Sequence, residues 1–180
     1  MTRPVPDPIP VRPVDRCRSL LLPHGRPGLD GHRRPTALPA PAVSAGLVAL
    51  RRDVGLSPRA WAVLEAVVWT WHDDLGAALA ALGEVSGPEA TLVRLVVARR
   101  AQQTGEARRL AVELGRPGWL AGLVPVVAAE GLSGSLTDQV GFRPEAFLGR
   151  CLMPHPQEIP ALERIQAAEV MLVLQRALGG

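Results

Sequence analysis

Residues 57–115 read SPRAWAVLEAVVWTWHDDLGAALAALGEVSGPEATLVRLVVARRAQQTGEARRLAVELG. Ser57 is a favourable helix N-cap and Pro58 suits the first helical position, where its missing N–H costs nothing. Trp61, Leu64, Val68 and Trp71 then fall at i, i+3, i+7 and i+10, the spacing of one buried helical face. His72-Asp73-Asp74 breaks this run, with Asp73 placed to cap a second helix. That helix buries Leu75, Ala78, Leu79 and Leu82 and stops at Gly83. The pattern then starts again. Pro88 opens a helix carrying Leu92, Val93, Leu95, Val96 and Val97, and Arg99 and Arg100 complement the dipole at its C-terminus. Thr104 reads as the next N-cap. Ala107, Leu110, Ala111, Leu114 and the stop Gly115 repeat the earlier second helix with a displacement of 32.

A third start lies at Pro117, so the prolines are 30 and 29 residues apart. Each is followed some nine residues later by a valine pair, Val67-Val68, Val96-Val97 and Val126-Val127. A fixed period of this size predicts repeated helical hairpins. The third unit is degraded. Pro125 is expected to kink its first helix, and its partner is expected around residues 136–140. A short segment over 144–152 follows, and a last helix runs from about Pro160 to Leu178. Residues 170–174 of that helix are apolar around the whole circumference. This implies threading against the earlier hairpins or a homodimer through the 160–178 helix.

Working toward the N-terminus, the composition changes near Ser44. Residues 1–45 hold ten of the eighteen prolines and show no sustained periodicity, so they read as a disordered Pro/Arg-rich arm. Two origins fit: a flexible basic arm, or translated upstream sequence ahead of a later start at Val43 or Val48. The formal charge of +3 divides along the same boundary. The arm carries seven Arg and three Asp, while residues 46–180 carry thirteen Arg and fourteen Asp or Glu. The folded body therefore has no cationic excess to draw in nucleic acid.

Hydrophobic residues make up 47% of the chain, enough for a core, while all twenty basic residues are Arg and Asn is absent. This bias follows G+C-rich codons and points to a bacterial genome. Two cysteines, Cys17 and Cys151, are too few for a disulfide framework and fit a cytoplasmic setting. The longest uncharged apolar stretch, Gly118–Ala129, is too short to span a bilayer and contains Pro125.

On the period and helix pairing just described, residues 57–130 resemble α-helical hairpin repeats of the tetratricopeptide kind. The tetratricopeptide period is 34 and its first helix carries a Trp-Leu-Gly-Tyr pattern. Here the period is 29–32 and Tyr is absent, so no functional residue carries over. The resemblance implies a stacked helical surface that binds an unknown protein partner, often within a regulator. Residues 135–153, beginning SLTDQVGFRPEAFLGRCL, resemble the second helix-turn-helix of AraC-type regulators through Leu136, Val140, Gly141, Phe142 and Phe147. On that alternative Arg143 and Arg150 are the DNA contacts, and they are the only basic side chains offered to base edges.

Among chemistry-bearing residues, Glu65, Trp69 and His72 lie at i, i+4 and i+7, with Asp73 next. A carboxylate near an imidazole suits acid–base work or metal binding, but the pattern also describes a solvated surface stripe, which is the reading adopted. Cys151 and His155 have C-x₃-H spacing, yet a structural zinc needs four ligands, so Cys151 is read as a buried free thiol. No G-x-S-x-G elbow and no Gly-rich phosphate loop is present. The expected fold is all-α: an irregular array of about six or seven helices behind a disordered arm. The expected function is a non-enzymatic, cytoplasmic, regulatory protein-interaction module without catalytic residues, cofactor, metal or membrane contact. The alternatives are a small helix-turn-helix regulator and a ligand-sensing bundle with a pocket near Trp61, Trp69 and Trp71.

Overall fold

The structure, a computed structural model, describes residues 13–179. The fold is all-α, with one two-residue-per-strand hairpin. Ten α-helices are present among the described residues: α1 (Pro13–Leu21), α2 (Ala40–Asp53), α3 (Pro58–Trp71), α4 (Leu75–Leu82), α5 (Pro88–Arg100), α6 (Thr104–Leu114), α7 (Val124–Ala129), α8 (Ser133–Leu136), α9 (Pro144–Leu152) and α10 (Ile159–Gly179). The count exceeds the expected six or seven because α1 and α2 form upstream and the third unit breaks into short pieces.

Local signals account for α3 to α6. Ser57 accepts a hydrogen bond from the Ala60 amide at 3.2 Å, with Pro58 opening α3. Asp74, not Asp73, caps α4 by accepting from the Ala77 amide at 2.9 Å. Thr104 is the first residue of α6 rather than its cap, a place taken by Gln103. Gly83 and Gly115 end α4 and α6 at φ of 45° and 59°, a region closed to most side chains.

The ends of α3, α5 and α7 share one geometry that the sequence pattern does not announce. Asp73, Gln102 and Gly131, at a constant interval of 29, have φ of 65°, 57° and 72°. In each, the left-handed residue donates to the carbonyl three positions back: Asp73 to Thr70, Gln102 to Arg99, Gly131 to Ala128. The next amide reaches five back, Asp74 to Trp69 at 3.1 Å, Gln103 to Ala98 at 2.9 Å and Leu132 to Val127 at 3.1 Å. This is a Schellman ending, which satisfies carbonyls that the helix leaves without partners.

α3 packs on α4 and α5 on α6, and α10 packs against both hairpins through α3 and α5. Every residue of α5 from Ala90 to Arg100 except Arg94 is buried. Val170, Val173 and Leu174 of α10 are buried, with Met171 and Leu172 packed at the edge of the same core. The all-round apolar stretch is therefore threaded against the earlier hairpins of its own chain. At about 25 cal/mol per Å² of apolar surface removed from water, each such Leu or Val contributes about 1.5–3 kcal/mol.

Two segments differ from the sequence expectation. Residues 13–45 were expected to belong to a disordered arm, but here they form α1, a 3₁₀ turn at Leu22–His24, a long loop and the start of α2. Cys17, Leu21 and Val43 are fully buried in the common core. The ordering is tertiary: the Trp71 indole donates to the Leu21 carbonyl at 2.9 Å, fifty residues away in sequence. The remaining expected arm, residues 1–12, lies outside the described residues. The second difference is at 136–140, where a helix was expected. A single turn, α8, leads into β1 (Thr137–Asp138) and β2 (Gly141–Phe142), paired antiparallel. The Asp138 carboxylate accepts from the Val140 and Gly141 amides at 2.9 and 3.2 Å, which closes the turn in place of a helix. Pro125 sits in the first turn of α7, after a 3₁₀ segment at Gly118–Leu123, rather than kinking a continuous helix.

Among the described residues no single helix is long and apolar enough to cross a membrane.

Candidate functional site

Two arginines end α5, and their side chains are buried rather than solvated. Arg100 reaches one way. Its Nη2 donates to Asp73 Oδ1 at 2.5 Å, its Nη1 to the Thr70 carbonyl at 2.7 Å and its Nε to the Asp30 carbonyl at 3.1 Å. Asp73 Oδ2 accepts in turn from the amide and Nε of Arg34, at 2.9 and 2.8 Å. Arg34 also donates to the carbonyls of His24, Arg26 and Trp71. One carboxylate thus holds two guanidiniums, and these hold the loop at 24–34. Charged pairs of this kind are stable only when nearly every donor is used, as here.

Arg99 reaches the other way. Its Nε and Nη2 donate to Gln166 Oε1 at 3.2 and 2.9 Å, and Nη2 also to Glu169 Oε2 at 2.6 Å. The guanidinium lies 4.6 Å from the centre of the Phe147 ring. Gln166 passes the connection on by donating to the Gly28 carbonyl at 2.7 Å. Burial pushes the Glu169 carboxyl above its ordinary range. Arg99 Nη1 and Glu169 Oε1 have no hydrogen-bond partner among the described residues.

Above this buried pair opens a cleft of about 970 Å³. Its walls are α6 through Thr104, Arg108, Ala111 and Val112, and α9 through Glu145, Leu148, Gly149 and Leu152. Leu29 and Asp30 close one side, and the 153–163 segment closes another through Met153, Pro154, Ile159 and Glu163. Arg99 and Cys151 contribute to the lining. Val112 is 68% exposed and Met153 is 84% exposed, so the rim carries large apolar side chains in water. Burial pushes the Cys151 thiol up to about 12, which keeps it protonated and non-nucleophilic at neutral pH.

The residues singled out by sequence are placed elsewhere. Glu65 accepts from the Trp61 indole at 3.1 Å and makes no bond to His72. Trp69, His72 and Asp73 are buried, so these residues are not a solvated stripe. His72 Nδ1 accepts from the Leu38 amide at 3.2 Å while Nε2 lies 3.1 Å from the Leu20 carbonyl, which fixes the tautomer with its proton on Nε2. Burial lowers the His72 pKa. With both ring nitrogens engaged, the imidazole is a structural clamp on residues 20–38. Arg150 pairs with Glu158 at 2.9 Å, and Arg143 lies 3.9 Å from Asp138. In the region of the helix-turn-helix resemblance, α9 follows a β-hairpin, and the preceding helix has only four residues. Trp61, Trp69 and Trp71 pack in the core and none lines the cleft. Cys151 and exposed His155 do not assemble with other ligands: among the described residues no three His, Cys, Asp or Glu side chains form a cation cluster.

The buried polar ties made by Arg99, Arg100, Gln166 and Glu169 were missed from sequence, and of these residues Arg99 also lines the cleft. Gln166 and Glu169, three apart, are two of several polar residues on α10, which also carries Glu163, Arg164, Gln175 and Arg176, so the spacing gave no distinct signal. No protein-family model, no curated protein and no solved structure matches this chain.

Proposed function

We propose that this chain is a non-enzymatic helical module that docks a protein partner in the cleft between α6 and α9. The observation that carries the reading is the pair of apolar side chains Val112 and Met153, exposed together at the rim of an open cleft, whereas the other exposed large apolar side chains among the described residues, Leu22, Val48, Leu79 and Val140, lie outside it. Exposed apolar surface next to a concavity is the usual mark of an interaction site. Methionine suits such a rim, because its unbranched, polarisable chain adapts to a partner's shape. The recurrence of one Schellman ending at 73, 102 and 131 supports reading α3–α4 and α5–α6 as repeated hairpin units with a third, reduced one. Stacked hairpins of this type present elongated grooves. A regulatory role is the natural use of such a module.

The supporting chemistry is negative in sign for catalysis. The buried histidine and both buried cysteines are held neutral or fully engaged, and the charged side chains in the interior serve as ties between segments. The test is a variant carrying Val112→Asp and Met153→Asp. Both positions are exposed, so helical circular dichroism should be retained. Proteins that co-purify with the parent from the cells that express it should be lost from the variant. An identical set of co-purifying proteins would contradict the reading.

A further inference from the structure

We propose that the occupant of the cleft is a basic amphipathic α-helix supplied by another protein. This rests on the docking reading above and adds the chemistry of the partner.

The two long walls of the cleft are helix faces. On α6 the lining residues Thr104, Arg108 and Ala111 fall at i, i+4 and i+7, and on α9 Glu145, Leu148 and Leu152 fall at i, i+3 and i+7. Each wall is therefore two turns long, about 11 Å at 1.5 Å per residue. A groove between two such faces matches a third helix that offers apolar anchors at i, i+3 or i+4, and i+7. Gly149 lies on the α9 wall, and a Cβ built there would meet no atom within 4 Å. Glycine weakens a helix interior relative to alanine, and nothing in α9 itself needs the missing side chain. The open space leaves this wall free for close approach by another helix.

Charge sets the sign of the partner. The lining holds three carboxylates, Asp30, Glu145 and Glu163, against Arg99 and Arg108. Arg99 is offset by Glu169 at 2.6 Å, which leaves Arg108 as the one base of the lining without an ion-pair partner among the described residues. Glu145 and Glu163 make no ion pair among the described residues, and Asp30 meets only exposed His32, at 3.1 Å, which carries charge only when protonated. A basic helix gains from these carboxylates, and an acidic one is repelled.

The full chain is panned against displayed helical peptides of roughly 15 residues or more, the length at which an isolated helix becomes appreciable. Enriched peptides should carry net positive charge and an aliphatic stripe at i, i+3 or i+4, and i+7. They should bind Gly149→Trp at least about tenfold more weakly, as blocking a central anchor does. Gly105→Trp adds the same bulk on α6 outside the cleft, where space is also open, and should bind like the parent. Glu145→Gln combined with Glu163→Gln should weaken binding and flatten its salt dependence. If Gly149→Trp loses helical circular dichroism, Val112→Asp with Met153→Asp replaces it. Enrichment of acidic or stripeless peptides that still depend on Gly149 would overturn the basic helix and leave docking in place. Binding indifferent to both variants, or no enrichment, would overturn both. A parent that is dimeric and a Gly149→Trp variant that is monomeric would show that a second copy of this chain is the occupant instead.

Discussion

Asp73 and Arg100 form a buried ion pair, Oδ1 to Nη2 at 2.5 Å, that joins the turn after α3 to the end of α5. The pair ties the first hairpin to the second at the point where both helices end in the same left-handed turn. Arg34 completes it from the N-terminal loop. Three segments distant in sequence thus depend on one carboxylate. Asp73→Asn keeps a residue that tolerates φ of 65° and removes the charge. It should cost about 3–5 kcal/mol, since it leaves two guanidiniums without a counter-charge. Urea unfolding measures this, and a loss below about 1 kcal/mol, the level of an exposed pair, would show that Asp73 is dispensable.

Removal of residues 1–38 should abolish cooperative unfolding or lower the melting temperature sharply. The deletion removes buried Cys17 and Leu21, the acceptor for the Trp71 indole, and Arg34. A truncated chain that melts like the parent would mean that the N-terminal segment is an appendage after all.

Acid should weaken the fold through His72. Its pKa lies below the ordinary 6.5 in the folded chain because burial disfavours the charged ring. The unfolded chain therefore binds the proton more readily, and stability present above about pH 6.5 is lost as pH falls toward the folded pKa. Protonation would also place an N–H at Nδ1 against the Leu38 amide, which already donates there. His72→Gln should flatten the dependence of melting temperature on pH between about 5 and 7. An unchanged slope in that variant would assign the effect to another group.

Arg99 and Glu169 should be more costly to break than to replace. Arg99→Met alone leaves a buried carboxylate unpaired and should cost about 3–5 kcal/mol. Arg99→Met with Glu169→Leu removes both charges, together with the two polar atoms that lack partners among the described residues, and should recover most of that loss. Thermal melts of the single and double variants decide it. A double variant no better than the single one would mean that the charges organise α5 and α10 beyond their mutual pairing.

The helices of residues 57–115 were legible because their boundaries are set locally. Ser57, Pro58, Gly83, Pro88 and Gly115 act through their own backbone geometry, and the structure uses each of them. The fold at 13–38 was not legible, because proline-rich sequence has little intrinsic order and is fixed here by Trp71, Asp73, Arg100 and Gln166 from elsewhere. The hairpin at 137–142 was hidden for a related reason. A helical pattern of apolar residues was outweighed by the Asp138 carboxylate capturing two amides. The end of α5 misled in the opposite sense. Arg99 and Arg100 fit a solvated helix terminus by local rules, yet both are buried because α10 and the N-terminal loop close over them. The cleft draws residues from position 29 to position 163, so no sequence window contains it.

Placing a photo-crosslinking amino acid at Met153, and separately at Leu79 as an exposed apolar position outside the cleft, tests partner docking most directly. In the cells that express the chain, Met153 should yield a discrete crosslinked protein that disappears with Gly149→Trp, and Leu79 should not yield it. Equal crosslinking from the two positions, or none from Met153, would contradict the assignment of the α6–α9 cleft as a docking site.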